Sequence, residues 1–339
     1  MKLSIKKLSE LSGFSPATVS NALNHKRGVS KETIEKILSL SRQYGYVGRP
    51  QIKGIRLVVY KREGLVVSDT PFFQQLIDGV SAECRNLGFQ TGILYLERFK
   101  DDFDEHIQSV LRDPDSAILL LDTEMHREDI EPFKAAVAPV LLLDGWFDDM
   151  GIHTVTINNT DSVFGAVERL VQKGHREIGY LKGNIRIRNF FYREMGYRRA
   201  LYCAGLPLHD DYTVSLGTTP QSAYEDMLGY LDAGGGKKLP TAYFADNDII
   251  ALGAMKALIE RGVRIPEDVS VVGFDDLPFA DMFSPALSTI RVNKREMGRA
   301  AVRQLVSMIK SPNEVTLKIE VSTDYVERGS VGPPLRRTS

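Results

Sequence analysis

Ala17, Thr18, Ser20 and Asn21 crowd one segment, PATVSNAL, and all four side chains are short. Around that segment the chain places Lys2, Lys6, Lys7, Lys26, Arg27 and Lys31. Short polar groups ringed by cations suit a surface that enters a groove about 12 Å wide and reads base edges while the cations neutralise phosphates. The elements needed to present them are three short helices. Ser4 is a good N-cap for IKKLSELS, where Ile5, Leu8 and Leu11 recur on one face. Gly13 permits a tight turn, and Ser15 caps a second helix with Pro16 in its first position, where the missing N–H costs nothing. Val19 and Leu23 of that helix point inward. A third helix begins after Ser30, with Ile34, Ile37, Leu38 and Tyr44 spaced to pack on the first two. Helix, short turn and a helix with a small polar start make the helix-turn-helix pattern, whose second helix enters the major groove. A plain three-helix packing unit is the alternative.

Charge separates along the chain. Residues 1–56 hold eleven Lys or Arg against three Glu, while the net charge of all 339 residues is −1. A basic head therefore sits on an acidic body, and a polyanion is the expected partner of the head. With 43% hydrophobic residues the chain is long enough for a small domain and a bilobed one. Cys84 and Cys203 lie far apart at no metal or redox spacing and read as buried hydrophobes in a reducing compartment. No apolar run nears the roughly 20 residues of a membrane helix, and no signal segment follows Met1, so a cytoplasmic location without membrane contact is expected. HExxH, GxSxG, CxxC and GxxxxGK[ST] are all missing. The acidic run LDTEMHREDIE reads as a charged surface turn, and His153 and His175 as structural. No catalytic residue, metal or cofactor is expected.

From Ile55 the apolar runs IRLVVY, TGILYL, AILLLD and PVLLLD alternate with helical patterns. A second series runs from VTIN (155–158) through IGYLKG, TVSL and TAYFAD to VSVVGFDD. Short β-rich runs separated by amphipathic helices indicate parallel sheets. Two such series predict an α/β body of two doubly wound lobes, with ligand in the cleft at the carboxyl ends of the strands.

The run from SIKKLSELSGFSPATVSNALNHKRGVSKETIEKIL to QYGY resembles the headpiece of the LacI/GalR transcription regulators, and the body resembles the same family and its periplasmic-binding-protein-like fold. The body motifs are PFFQQLIDGV (71–80), LVQKGHREIGYLKG (170–183), MGYRRAL (195–201), the stretch 247–280 and SPALSTIRVNKREMGRAAVRQL (284–305). The resemblance implies a DNA-binding headpiece over 1–46, a short linker over 47–54 and an effector-binding, dimerising body over 55–330, followed by a tail, 331–339. Lobe 1 would span about 55–155 and 290–318, and lobe 2 about 156–289 and 319–330, with three chain crossings between them.

It further implies DNA contacts. Pro16, Ala17 and Asn21 stand at base-reading positions, and Thr18, Ser20, Asn24, Ser30 and Thr33 at phosphate-contacting ones, beside the capping Ser15. Asn21 is the side chain among the base readers able to hydrogen-bond a base edge. The linker VGRPQIKG lacks the family's Ala-Arg-x-Leu wedge, and Gly48, Pro50 and Gly54 oppose a hinge helix. Arg49 can still reach the minor groove as part of an extended arm, and little operator bending is expected.

For the effector, the resemblance places Arg193, Asp275, Asn247, Phe73 and Asn158 in the interlobe pocket, with Trp146 and Phe191 as added aromatic surface. Asn158 stands where the family often has aspartate. An arginine and an aspartate among aromatics resemble a carbohydrate site. The expected protein is a homodimeric regulator, with repression as the expected sign, binding a near-palindromic double-stranded operator under control of a small-molecule effector. For the body taken alone, a solute-binding receptor of periplasmic type without a specific DNA role is the alternative.

Overall fold

The computed structural model describes residues 5–23, 28–43, 52–64, 66–67, 71–234, 238–311 and 315–335. Three helices come first: α1 (Ile5–Ser12), α2 (Pro16–Leu23) and α3 (Lys31–Gln43). Gly13 turns the chain at a φ of 76°. The Ser15 hydroxyl accepts from the Thr18 N–H at 3.1 Å and the Ser30 hydroxyl from the Thr33 N–H at 3.2 Å, so both later helices start on a side-chain cap. Leu8, Val19, Ala22 and Ile37 are fully buried at the centre, with Leu23 only partly covered. Leu11, expected inward, is 39% exposed, and Ser12, one turn beyond Leu8, takes the buried place.

The body follows in chain order: β1 (Gly54–Lys61), α4 (Pro71–Asn86), β2 (Gln90–Glu97), α5 (Phe103–Arg112), β3 (Ser116–Leu121), α6 (Arg127–Ile130), β4 (Val140–Leu143), β5 (His153–Ile157), α7 (Asn159–Gln172), β6 (Ile178–Gly183), α8 (Arg188–Cys203), β7 (Thr213–Leu216), α9 (Pro220–Asp232), β8 (Ala242–Ala245), α10 (Asp248–Glu260), β9 (Ser270–Val272), α11 (Pro278–Met282), β10 (Thr289–Val292), α12 (Lys294–Lys310), β11 (Lys318–Val321) and β12 (Thr323–Val326). The first sheet is ordered β11-β5-β4-β3-β1-β2 and the second β7-β6-β8-β9, and every pairing within both is parallel. A sheet covered on both faces needs apolar residues on both. The alternation along β1 and β3 supplies them: Leu57, Val59, Leu119 and Leu121 join one core cluster, while Val58, Tyr60, Ile118 and Leu120 join another with Ile107 and Val110 of α5.

The lobes are discontinuous, with β10 and β12 forming an antiparallel ribbon at the joint. The crossings fall after Ile157, Val292 and Val321, later than expected from the sequence. VTIN does not open the second lobe, because β5 pairs with β4 and β11 in the first sheet. Likewise residues 319–321 belong to lobe 1, since β11 pairs with β5 as far as Val321. The expected tail is also corrected at its start: the Gly332 carbonyl accepts from the Ser270 hydroxyl and lies 2.9 Å from Nε2 of buried His175, and Val331 is buried, so residues 331 and 332 are packed onto the body while Leu335 is exposed. Cys84 is buried but Cys203 is exposed at the end of α8. Among the described residues no helix is long and apolar enough to cross a membrane.

Candidate functional site

On the head, Ser15, Pro16 and Ala17 are exposed at the start of α2, and Thr18, Ser20 and Asn21 are partly exposed along it. Thr18 sits 2.9 Å from Ser15, and Thr33 2.8 Å from Ser30, hydroxyl to hydroxyl, so four of the expected contact residues also build the two caps. Asn24, Arg49 and linker residues 47–51 lie outside the described residues.

In the body, the carboxyl ends of both sheets face one cleft. Arg193, buried in α8, extends its fork across the ends of β8 and β9. Its Nε donates to Oδ1 of Asn159 at 2.9 Å, Nη1 to the Asp246 carbonyl at 2.6 Å and Nη2 to Oδ1 of Asp275 at 3.4 Å. The guanidinium carbon stands 3.6 Å from the centre of the Phe274 ring. Around the fork an inner chamber of about 30 Å³ is lined by Phe73, Thr123, Asp144, Asn189, Asn247 and Asp275, among others. Asn247 also caps α10, accepting from the Ile250 N–H at 3.0 Å.

Asp144 and Asp275 hold left-handed backbone conformations, with φ of 81° and 112°, which L side chains adopt only under local constraint. Their carboxylates are buried. Burial pushes the Asp144 carboxyl up to about 6, against the pull of the Thr123 hydroxyl and of Arg193. Burial also raises Asp275, opposed by Arg193 and Lys294. Thr123 donates to Oδ2 of Asp144 at 2.6 Å and the Asn189 side chain also favours the carboxylate, while Oδ1 has no hydrogen bond of ordinary length among the described residues. Asp122 has the same pattern: Oδ1 accepts from the Gly145 N–H at 2.8 Å, Oδ2 is unpartnered, and burial reinforced by Asp144 holds it well above the usual carboxylate range. A buried acceptor left unsatisfied is costly, and a ligand hydroxyl or amine repays it.

Four expected pocket residues, Phe73, Arg193, Asn247 and Asp275, therefore meet in the chamber, and three do not. Asn158 caps α7 through the Asp161 N–H, and its neighbour Asn159 is the one that reaches Arg193, because the chain leaves β5 there and turns into the helix. Trp146 stacks under Lys318, and Phe191, 49% exposed, points outward from α8 beside Arg188. Asp144, Thr123, Asn159 and Asn189 were not expected from the sequence; an acid followed by glycine at the end of the apolar run LLLDG is the signal that marks Asp144.

The run LDTEMHREDIE is not a solvated turn. Asp122, Thr123, Glu124, Asp129 and Ile130 in it are buried, because the run spans the end of β3 under the cleft. Glu124 accepts five backbone N–H groups: those of Arg62, Glu63 and Gly64 on Oε2 at 2.8 to 3.3 Å, and those of Val66 and Val67 on Oε1 at 2.8 and 2.9 Å. The carboxylate thus holds the loop after β1 against the cleft. Ligand-type atoms of His126, Glu128 and Asp129 come within 4.8 Å of one another, and Asp129 is held by Arg62 and Arg98.

Residues 167–331 match the model of the periplasmic binding protein-like domain. Over 333 residues the chain is 27% identical to the HTH-type transcriptional repressor PurR of Haemophilus influenzae, covering 96% of this chain and 98% of that one. Its fold superposes on the transcriptional regulator CelR in complex with cellobiose, with a TM-score of 0.72, 25% identity, and coverage of 97% of this chain and 100% of that one. The lac repressor dimer bound to operator and the anti-inducer ONPF gives the same TM-score of 0.72 at 23% identity, over 98% and 100% of the two chains, a likeness of fold.

Proposed function

We propose that the chain, similar over nearly its whole length to transcriptional repressors, is a DNA-binding regulator of LacI/GalR type and not an enzyme, a homodimeric repressor controlled by a carbohydrate in the interlobe cleft. Two heads related by a two-fold axis read the half-sites of a near-palindromic operator. Pro16 and Ala17 offer apolar contact and Asn21 a bidentate amide to base edges. Thr18, Ser20, Asn24, Ser30 and Thr33 contact phosphates, favoured at Ser15 and Ser30 by the helix starts they cap. Arg49 reaches from the linker toward the minor groove. The exposed Ile93 and Tyr95 on outer strand β2 support dimerisation, since an uncovered apolar edge strand invites a partner. A location in the cytoplasm, with the operator, accompanies this reading.

The observation that carries the effector assignment is the buried, unpartnered oxygen of Asp144 beside Arg193 and Asp275, walled by Phe73. Acceptors, a guanidinium and aromatic faces in one chamber match the alternating hydroxyls and apolar faces of a sugar. Cellobiose is what the similar CelR holds. The chamber of about 30 Å³ has room for two or three waters, each needing about 10 to 15 Å³ of such space, and not for a sugar ring. Entry of a sugar therefore parts the lobes or turns their side chains, so binding changes interlobe geometry and with it the spacing of the heads.

Selection of bound fragments from random DNA by the full-length protein tests this reading. An enriched inverted repeat whose retention changes when cellobiose or another sugar is added is the expected result. Salt-sensitive binding with no enriched repeat would count against it.

A further inference from the structure

The cleft does not end at the inner chamber. A second cavity of about 220 Å³ adjoins it and shares Thr123 and Ile187 with it, so one ligand can occupy both. Four arginines line this outer cavity: Arg62, Arg127, Arg186 and Arg188. Three of them have carboxylate partners, Arg62 with Asp129, Arg127 with Asp149, and Arg186 with both Asp246 and Glu194. Of the acids in the wall, Glu124 is spent on the five backbone amides of the loop after β1, and Glu63 is exposed.

Arg188 is the exception. Among the described residues it forms no ion pair; Nη2 donates to the Tyr192 hydroxyl at 3.1 Å and Nε to the Trp146 carbonyl at 3.4 Å. Its guanidinium carbon lies 5.0 to 5.7 Å from the ring centres of Phe147, Phe191 and Tyr192. Three rings therefore fix the group in place and strip part of its hydration, yet provide no counter-charge. Arg188 is also the first residue of α8, whose N-cap Ile187 gives no side-chain cap, so the positive end of that helix adds to the same wall. A pre-oriented cation without a carboxylate partner, joined to the chamber that holds Arg193 and Asp275, selects a ligand with negative charge.

We propose that the outer cavity takes an anionic substituent of the effector, a phosphate or a carboxylate, with Arg188 as its counter-ion. The effector is then a charged sugar whose ring lies toward Arg193 and Asp275. This rests on the carbohydrate reading of the inner chamber.

Calorimetric titration of the full-length protein tests the proposal with a panel of hexoses and pentoses, each beside its phosphate ester and its uronic acid, and with inorganic phosphate alone. At least one anionic member should bind 10-fold or more tightly than its parent sugar, and Arg188→Gln should shrink that ratio to about 2-fold or less. Glu63→Gln, a change at an exposed acid on the rim, should widen the ratio in a protein that keeps all its buried contacts. Phosphate ester or uronate will identify which anion is taken. Equal affinity for parent and anionic sugar, a ratio that survives Arg188→Gln, or inorganic phosphate binding as tightly as any ester would each overturn the outer site while leaving the carbohydrate reading standing. If no member of the panel binds, charged or neutral, the carbohydrate reading itself fails and the proposal falls with it.

Discussion

Arg193 and Asp275 meet at 3.4 Å over the face of Phe274, and the arginine reaches that position while two further N–H groups are committed to Asn159 and to the Asp246 carbonyl. One side chain thus ties the start of α7, the end of β8 and the end of β9 at the floor of the cleft.

Replacing the fork by a point charge removes this tie. Arg193→Lys cannot satisfy three acceptors in three directions, so it should lose about 3 kcal/mol of stability in urea unfolding, as a broken buried pair does. Arg193→Ala should in addition abolish the melting shift given by effector while operator binding persists. A shift of wild-type size would remove Arg193 from the effector site.

Stability should depend on pH through Asp144. Its carboxyl is raised to about 6 by burial, so the folded state holds a proton that the unfolded chain releases near pH 4. The native protein binds more protons in that window, and this contribution is fully present below about pH 4 and lost as the pH rises through 6. Asp144→Asn removes it: the variant should gain roughly 2 to 3 kcal/mol relative to wild type between pH 4 and pH 7. A difference between the two that stays constant across pH would show that Asp144 is not held protonated.

Glu124→Gln tests what holds the loop after β1. An amide presents one acceptor where the carboxylate presents two, and charge-assisted bonds contribute about 1.5 to 3 kcal/mol each. The variant should be destabilised by about 3 kcal/mol, with faster amide hydrogen exchange confined to residues 62–67. Unchanged exchange there would mean the loop is held by its other contacts.

On the head, Asn21→Ala should relax base preference at one position of each half-site by roughly 1 to 3 kcal/mol, and weaken binding to other sequences little. Titrations against operator variants at fixed salt give this directly. Uniform weakening across all sequences would assign Asn21 to the backbone instead.

The head and the order of the α/β elements were legible because they rest on local signals. Ser15, Pro16 and Ser30 announce caps and first turns, and runs such as AILLLD announce strands buried on both faces. Arg193 and Asp275 were legible through motifs that place them. The one-residue difference between Asn158 and Asn159 was not, since it depends on where β5 ends and α7 begins, and strand pairing with β11 sets that point. β11 and β12 are four residues each and separated by Ser322 alone, too short for periodicity to reveal. Glu124 could not be found at all, because its five partners are backbone amides 57 to 62 residues away, which no residue type advertises. Trp146 and Phe191 looked like pocket aromatics by composition, and direction is what composition lacks.

The three crossings have a consequence for how the chain assembles as it is made. The second sheet and the helices α7 to α10 come from one continuous stretch, residues 159–272, needing only the return strands to finish. Lobe 1 begins earlier but waits for α12, which packs on α4 and against β3, β4 and β5, and for β11, its outer strand. During synthesis the later lobe can therefore close first, while the earlier one keeps an apolar face of α4 uncovered until α12 has been made and released from the ribosome. Shortening the chain before Lys294 should leave that face open to aggregation or to chaperones, with the second sheet still formed.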